Sequence, residues 1–213
     1  MNLLKVPYLP GVSYSGPILS AKDFFPGNKG DKLAYQPWQP QPLAADVTFN
    51  IGYGDDAIFL KFNVKEKHFK AVYKQTNGPV YKDSCVEFFI GFDEGGTYYN
   101  FEFNAIGTRL AAYGLPNKRE QLPVPLVETI KCAVINKTSP GNPWPVEWGL
   151  LAVIPFDVFY KHSISSLKGK KCKANFYKCG DDLPEPHFLC WNNIVADTPN
   201  FHLPGFFGDL IFG

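Results

Sequence analysis

Apolar and polar residues alternate in the middle of the chain in a way that predicts a β-hairpin. Residues 97–106 alternate strictly, whereas residues 85–92 are apolar apart from Glu87, as in a strand covered on both faces. The second strand places Tyr99, Phe101, Phe103 and Ala105 on one face and Tyr98, Asn100, Glu102 and Asn104 on the other. Residues 93–96 form a Gly-containing loop of hairpin length. Counting back from that loop places Glu87 directly opposite Glu102.

Two like charges at opposite positions destabilise a strand pair. The polar face of the hairpin therefore predicts a binding surface built around Glu87 and Glu102. The structural alternative is that one of these carboxylates forms an ion pair with Arg109 or Lys131 at the sheet surface. Asp83 is expected to shape the strand entry through hydrogen bonds from its side chain to the backbone.

Similar patterns along the chain predict a β-sandwich. The expected strands cover residues 47–53, 58–64, 85–92, 97–106, 109–113, 128–134, 146–154, 171–178 and 210–212. Residues 115–125 are predicted to be a proline-bearing connection, and residues 156–159 to be the one short helix. The Pro- and Gly-rich residues 1–45 are predicted to be an extended arm with at most one edge strand. Roughly ten short strands and almost no helix indicate an all-β, jelly-roll-like antiparallel sandwich.

Length and composition favour a single globular domain and argue against nucleic-acid binding and a membrane span. The 213 residues suffice for one domain, 1–213, with a sizeable core. Lys plus Arg number 21 and Asp plus Glu number 20, without a basic stripe, so nucleic acid is not an expected partner. No apolar run approaches the ~20 residues of a membrane span. The N-terminus shows no signal peptide, which fits either a cytoplasmic protein or a secreted one with its signal removed.

The five cysteines lack the spacing of a zinc site and are predicted to be buried thiols. A Cys172–Cys179 pair remains an alternative if their segment folds back. Residues 136–138 (Asn-Lys-Thr) match a glycosylation sequon, which short sequences produce by chance. Three histidines have no metal-like spacing; they are His68, His162 and His187. Trp144, Trp148 and Trp191 are expected in the core.

Three segments together resemble carbohydrate-binding module family 9. Residues 81–90, YKDSCVEFFI, resemble its aromatic-x-x-Asp-Ser-Val-Glu motif, with one residue inserted between Asp-Ser and Val-Glu. Residues 46–64 resemble the strand pair ahead of that motif. Residues 191–210 resemble the closing segment, in which an aromatic residue precedes Pro and Phe-Gly. The resemblance covers residues 40–213 in order.

The resemblance implies a jelly-roll-like sandwich that binds sugars without cleaving them, in polysaccharide utilisation. Two rings would clamp a terminal sugar while polar side chains of the sheet hold its hydroxyl groups. The positions that match the family are Tyr81, Phe201, Glu87, Glu102 and Asn104. Both clamp positions are Trp in well-known members and are Tyr and Phe here. The residues themselves add Asn100 on the same strand face, His202 beside Phe201, and Arg109, which is expected to neutralise the two glutamates. The structural alternative for each ring is that it fixes a loop.

Three alternatives accompany this interpretation. Glu87 and Glu102 lie at a separation that a weak retaining glycosidase would use. The second alternative is a β-sandwich that has lost its sugar site and binds another protein instead. Related sandwich domains bind haem, but Met1 is the sole methionine, so no cofactor is expected. The family resemblance implies a structural calcium ion. Four turn residues carry suitable oxygen atoms, but their pattern is ordinary for turns and none is predicted to be a ligand; they are Asp55, Asp56, Asp93 and Glu94.

Overall fold

The structure is a computed structural model that describes residues 1–17, 25, 29–40, 42–135 and 145–213. These residues form thirteen strands and one short α-helix. The strands are β1 Leu3–Val6, β2 Asp31–Lys32, β3 Ala45–Tyr53, β4 Ala57–Glu66, β5 Cys85–Gly91, β6 Tyr98–Asn104, β7 Arg109–Leu115, β8 Lys118–Gln121, β9 Lys131–Ile135, β10 Val146–Pro155, β11 Lys171–Cys179, β12 Phe188–Cys190 and β13 Gly208–Phe212. The helix α1 is Val124–Glu128, and 3-10 turns are found at Val80–Lys82, Phe156–Phe159 and Pro204–Phe206.

Two sheets pack face to face, which confirms the predicted sandwich. The larger sheet has the order β1-β13-β11-β5-β6-β7-β8, with β12 also paired to β11. The smaller sheet has the order β2-β3-β4-β10-β9. Every strand pair is antiparallel except β1 with β13. Phe49 of the smaller sheet stacks on Phe176 of the larger one, with ring centroids 3.8 Å apart, so aromatic rings fill the space between the sheets.

The central hairpin has the predicted register. Glu87 of β5 is the partner of Glu102 of β6. The apolar face of β6 lies in the main core, where Phe101 is fully buried. The opposite face of this sheet is also covered, because the turn at residues 80–82 and the tail at residues 194–207 close over it as a second apolar cluster. The polar residues of the hairpin are therefore buried under loops rather than exposed to solvent.

The structure departs from the predicted elements at four places. The connection at residues 115–125 contains β8 and the start of α1, because a proline in the first turn of α1 favours helical backbone. Glu128 accordingly ends a helix instead of beginning a strand. The N-terminal arm contains two strands, β1 and β2. Strand β12, with three residues, is too short to leave a periodic pattern.

The cysteines are all free thiols. Cys172 and Cys179 cannot pair, because both lie on β11 and pack in different apolar clusters on its two faces. Trp148 and Trp191 lie in the core as predicted. Trp144 and the sequon at residues 136–138 lie outside the described residues. Among the described helices, none is long and apolar enough to cross a membrane.

Candidate functional site

A cavity of about 440 Å³ lies on the outer face of the larger sheet, over β5, β6, β7 and β11. Strand residues form its floor, and residues 181 and 199–202 contribute to its walls. It is lined by Tyr81, Glu87, Asn100, Glu102, Leu110, Ala112, Arg119, Gln121, Cys179, Asp181, Phe188, Pro199, Asn200, Phe201 and His202. Successive side chains of a strand point to opposite faces of the sheet, so alternate residues of β5 and β6 form the floor.

Six of the eight predicted site residues line this cavity, and two do not. The six are Tyr81, Glu87, Asn100, Glu102, Phe201 and His202. Asn104 is fully buried outside the cavity, where it donates to the carbonyl oxygen of Tyr73 at 2.8 Å and to Asp83 Oδ2 at 3.0 Å. Asp83 Oδ2 also accepts the backbone N–H of Tyr73, as predicted for the strand entry. Asn104 therefore fixes the loop that precedes β5.

Arg109 does not neutralise the glutamates, so that expectation is wrong. Its guanidinium donates to the carbonyl oxygens of Val127 and Glu128 at the end of α1. Lys131, the other proposed partner, donates to the carbonyl oxygen of Tyr14. The reason is the pleat: Arg109 has the opposite orientation to its neighbour Leu110, which lines the cavity.

The cationic group of the cavity is Arg119 on the edge strand β8, which sequence reasoning missed. Arg119 donates to Tyr98 Oη at 3.1 Å and to the carbonyl oxygen of Pro116 at 2.6 Å. Gln121, two residues further along, lines the same cavity. Residues 118–121 are all polar, so no alternation of apolar and polar positions marks the face that meets the cavity. Cys179 and Asp181 were also missed, since only the folded chain brings them beside β5.

Two polar atoms at the cavity floor have no hydrogen-bond partner among the residues that the structure describes. Asn100 Nδ2 donates to Glu102 Oε1 at 3.0 Å, which leaves Asn100 Oδ1 and Glu102 Oε2 buried and unpaired. Glu87 Oε1 accepts the thiol of Cys179 at 2.9 Å. A buried polar atom without a partner costs roughly 1–3 kcal/mol. The floor is therefore ready to accept hydrogen-bond donors from a ligand.

Burial determines the protonation of the two glutamates. It raises the pKa of Glu102 to about 7, with Asn100 and the Arg119 charge acting in the opposite direction. Burial also raises the pKa of Glu87 well above its ordinary value, and the neighbouring Cys179 and Glu102 add to the effect. Because the opposed carboxylates repel each other, keeping at least one of them protonated avoids two adjacent buried charges. A protonated carboxyl group both donates and accepts hydrogen bonds.

His202 forms a neutral polar group at the rim. Burial and then the Arg119 charge lower the pKa of His202 to about 3. Its Nδ1 lies 3.0 Å from Tyr98 Oη. Arg119 donates to the same oxygen, so Tyr98 Oη links the guanidinium to the His202 ring. The ring of His202 stacks on Phe89 with centroids 5.0 Å apart, so its orientation is fixed.

Aromatic rings form part of the cavity wall. Phe201 stacks on Tyr177 with ring centroids 4.1 Å apart and planes 12° apart, and Trp38 packs beside it at 5.9 Å. Tyr81 is half-buried, and its carbonyl oxygen accepts the backbone N–H of Asp181 at 3.2 Å. Rigid rings next to unpaired amide and carboxyl oxygens suit a ligand with apolar C–H faces and a rim of hydroxyl groups. This combination on a β-sandwich defines a carbohydrate-binding domain.

Comparison with known proteins identifies the family. The model of carbohydrate-binding family 9 matches residues 29–212, so the chain belongs to that family. The chain is 35% identical to a protein from Bacteroides uniformis that is proposed to bind carbohydrate, with 99% of each chain covered and a TM-score of 0.88. No curated protein matches the chain.

Two more distant structures share the fold. Both are family 9 modules from Caldicellulosiruptor kristjanssonii that are 12% identical to this chain. The complex with glucose has a TM-score of 0.60 and covers 100% of this chain and 96% of the other. The complex with cellotriose has a TM-score of 0.62 and covers 99% and 93%, respectively. The predicted family and fold class are thus confirmed, and the chain is a carbohydrate-binding domain.

Proposed function

We propose that the cavity on the larger sheet binds the terminal unit of a mono- or oligosaccharide without cleaving it. The observation that carries this proposal is the pair of unpaired buried oxygens, Asn100 Oδ1 and Glu102 Oε2, at the floor of a cavity walled by rings. Hydroxyl groups of a sugar supply the missing donors, while C–H faces pack on Tyr81 and Phe201. On the basis of family membership we further propose a role in polysaccharide utilisation.

Glucose and its β-linked oligomers are the first ligands to test. They occupy the two Caldicellulosiruptor kristjanssonii modules that share this fold. The proposed chemistry does not depend on one configuration, because any pyranose offers vicinal hydroxyl groups and at least one apolar patch. Xylose- and galactose-based oligosaccharides therefore belong in the same panel.

A hydrolytic role for Glu87 and Glu102 has less support. A retaining glycosidase needs one ionised carboxylate as nucleophile and one protonated carboxyl group as acid. Here burial raises the pKa of both groups, and the Arg119 charge faces Glu102 without fixing a separate nucleophile. Membership of a carbohydrate-binding family points the same way.

Calorimetric titration tests this proposal directly. The chain is titrated with gluco-, xylo- and galacto-oligosaccharides and with the alditol of each, in which the reducing end is opened. We expect saturable heat with one series and its loss on reduction of the chain end. Absence of heat throughout would contradict the proposal and favour a protein-interaction role.

The two rings provide the first variants. Tyr81→Ala and Phe201→Ala should each weaken binding by about 1 kcal/mol, roughly fivefold, because each removes a stacking surface. Tyr160→Ala, at an exposed ring remote from the cavity, is the matched control. Thermal melts show whether each variant remains folded. Phe201 also packs on Tyr177, so a binding loss in folded Tyr81→Ala is the decisive result. Unchanged affinity in that folded variant would exclude Tyr81 from the site.

A further inference from the structure

Two thiols and one carboxyl group converge below the cavity. Cys85 and Glu87 are alternate residues of β5 and share its outer face, and Cys179 of β11 is the register partner of Cys85. One donor atom from each of the three residues lies within 4.8 Å of the other two. All three residues are buried. This is a compact set of S, S and O donors held by two adjacent strands.

The cluster differs from an ordinary buried thiol. Cys190 is a buried thiol of the same apolar cluster that lies outside this group of donor atoms. Cys179, by contrast, directs its Sγ to Glu87 Oε1 at 2.9 Å. Glu102, the register partner of Glu87, leaves its Oε2 buried and unpaired. The cluster therefore combines soft sulfur donors with an oxygen donor and a neighbouring acceptor that lacks a partner.

An entry route exists through the cavity. Glu87 and Cys179 both line it, while Cys85 lies behind them. A small ion that enters from the cavity meets a carboxylate first and reaches the second sulfur within the same cluster. The side facing the cavity stays open to a water molecule. Three protein ligands and one open position are the arrangement of accessible zinc sites.

We propose that Cys85, Glu87 and Cys179 form a binding site for a thiophilic divalent cation, for which Zn²⁺ is the best fit. Sulfur atoms bound to Zn²⁺ at ~2.3 Å lie less than ~4.6 Å apart, so small side-chain rotations suffice to form the site. Calcium and magnesium prefer oxygen ligands and are poor candidates here. The site shares Glu87 with the lining of the cavity, whereas the proposed saccharide contacts rest on Asn100, Glu102, Tyr81 and Phe201.

Metal binding replaces protons in this cluster. Thiolates, not thiols, bind the ion, so the Sγ protons of Cys85 and Cys179 leave to solvent together with any proton on Glu87. Burial raises the pKa of Cys85 to about 11 and that of Cys179 well above its ordinary value, so both are thiols when no metal is bound. One of the displaced protons is the one that Cys179 donates to Glu87 when no metal is bound.

Cobalt titration tests the site without a sugar. The full chain is reduced, freed of chelator and titrated with CoCl₂, and then with ZnCl₂. We expect one equivalent of Co²⁺ to produce the near-ultraviolet band of thiolate-to-cobalt charge transfer, and one equivalent of Zn²⁺ to abolish it. A parent chain that shows no such band and retains no Zn²⁺ would overturn the proposal, whatever its behaviour toward saccharides.

Variants assign the ligands. Cys179→Ser and Cys85→Ser should each abolish the band, and Glu87→Gln should weaken Zn²⁺ binding roughly 10-fold or more, because losing even an outer partner of a ligand costs 10–100-fold. Cys190→Ser is the matched control, since it alters a buried thiol of the same apolar cluster that lies outside the proposed site. Circular dichroism verifies folding. A band that survives both cysteine changes in folded protein would place the metal elsewhere and contradict the assignment.

Discussion

Two sets of buried carboxyl groups in this molecule have opposite surroundings. Glu66, at the end of β4, faces the interior and lies 2.8 Å from the ammonium group of Lys178 on the other sheet. It also accepts the indole N–H of Trp148 at 2.6 Å. Glu87 and Glu102 lie opposite each other on the outer face of the larger sheet. Neither forms an ion pair in the part of the chain that the structure describes.

The pKa values of Glu66 and Glu102 shift in opposite directions because only Glu66 contacts a cation within the described part of the chain. Burial favours the neutral form of Glu66, but the Lys178 charge and the hydrogen bonds from His187, Lys178 and Trp148 together outweigh it and lower the pKa to about 2. For Glu102, burial prevails and raises the pKa to about 7. A buried carboxylate with a cation beside it joins the two sheets. Among the described residues Glu87 and Glu102 form no such ion pair, so their acceptor atoms stay available to a ligand.

Removing the cation from the buried Glu66–Lys178 ion pair should have the largest effect on stability. Lys178→Met leaves Glu66 buried without its cation, and we expect a loss of about 3–5 kcal/mol in the free energy of unfolding. Urea unfolding measures this change. The double variant Glu66→Gln with Lys178→Met should recover most of the loss, because no uncompensated charge remains.

An exposed ion pair provides the matched control for that experiment. Lys32 and Asp46 lie 3.4 Å apart with side chains that are 67% and 64% exposed. Lys32→Met should therefore change stability by less than about 1 kcal/mol. If Lys178→Met were as mild as Lys32→Met, the interior ion pair would not stabilise the contact between the sheets.

The two sets of carboxyl groups should also change the free energy of unfolding with pH in opposite directions. Glu66 has a lowered pKa, so its contribution is present above its unfolded pKa of 4.5 and is lost as pH falls toward about 2. Glu102 has a raised pKa, so the unfolded chain releases that proton first and stability falls as pH rises from 4.5 to about 7. The fall should be on the order of 1–3 kcal/mol.

Glu102→Gln checks this assignment by removing one titrating group. Urea unfolding between pH 4 and 8 should show a flatter neutral limb in the variant, while the acid limb remains. A variant whose stability still falls as steeply toward neutral pH would mean that Glu102 does not titrate in that range.

Two asparagines on the same strand provide the finest comparison. Asn104→Ala should cost roughly 1–3 kcal/mol of stability, because it removes one donor to Asp83 Oδ2, the side-chain donor to the carbonyl oxygen of Tyr73, and the acceptor of the Thr108 backbone N–H. Asn100→Ala should lose less stability and should weaken saccharide binding instead, since its Oδ1 has no partner among the described residues. Chemical unfolding and calorimetric titration of both variants separate the roles. Equal effects on both measurements would contradict the distinction drawn between these residues.

Local patterns were sufficient to predict the hairpin. The alternation in β6 and the length of the loop after β5 placed Glu87 opposite Glu102, because register in a hairpin depends on nearby residues. The same alternation could not distinguish Asn100 from Asn104. Both share a face, and only the loop that carries Tyr73 and Asp83 determines which one is covered.

Contacts between segments that are distant along the chain could not be predicted from local sequence patterns. Arg109 follows the hairpin directly along the chain, but the pleat directs its side chain away from the cavity, and the cavity instead receives Arg119 from β8. The Glu66–Lys178 ion pair joins strands of different sheets, and no periodicity predicts such a contact. The cavity wall around Asp181 also depends on how loops close over the sheet.

The position of β8 has a consequence for local dynamics. It is the last strand of its sheet, is four residues long, carries the charged sequence KREQ and pairs with only one neighbour. Such an edge discourages pairing with other chains and also unfolds locally at a lower free energy than the central strands. Since β8 supplies Arg119 and Gln121 to the cavity, one wall of the binding site lies at an edge of the sheet. A bound saccharide that contacts this wall would therefore slow amide hydrogen exchange more in β8 than in the central strands β5 and β6.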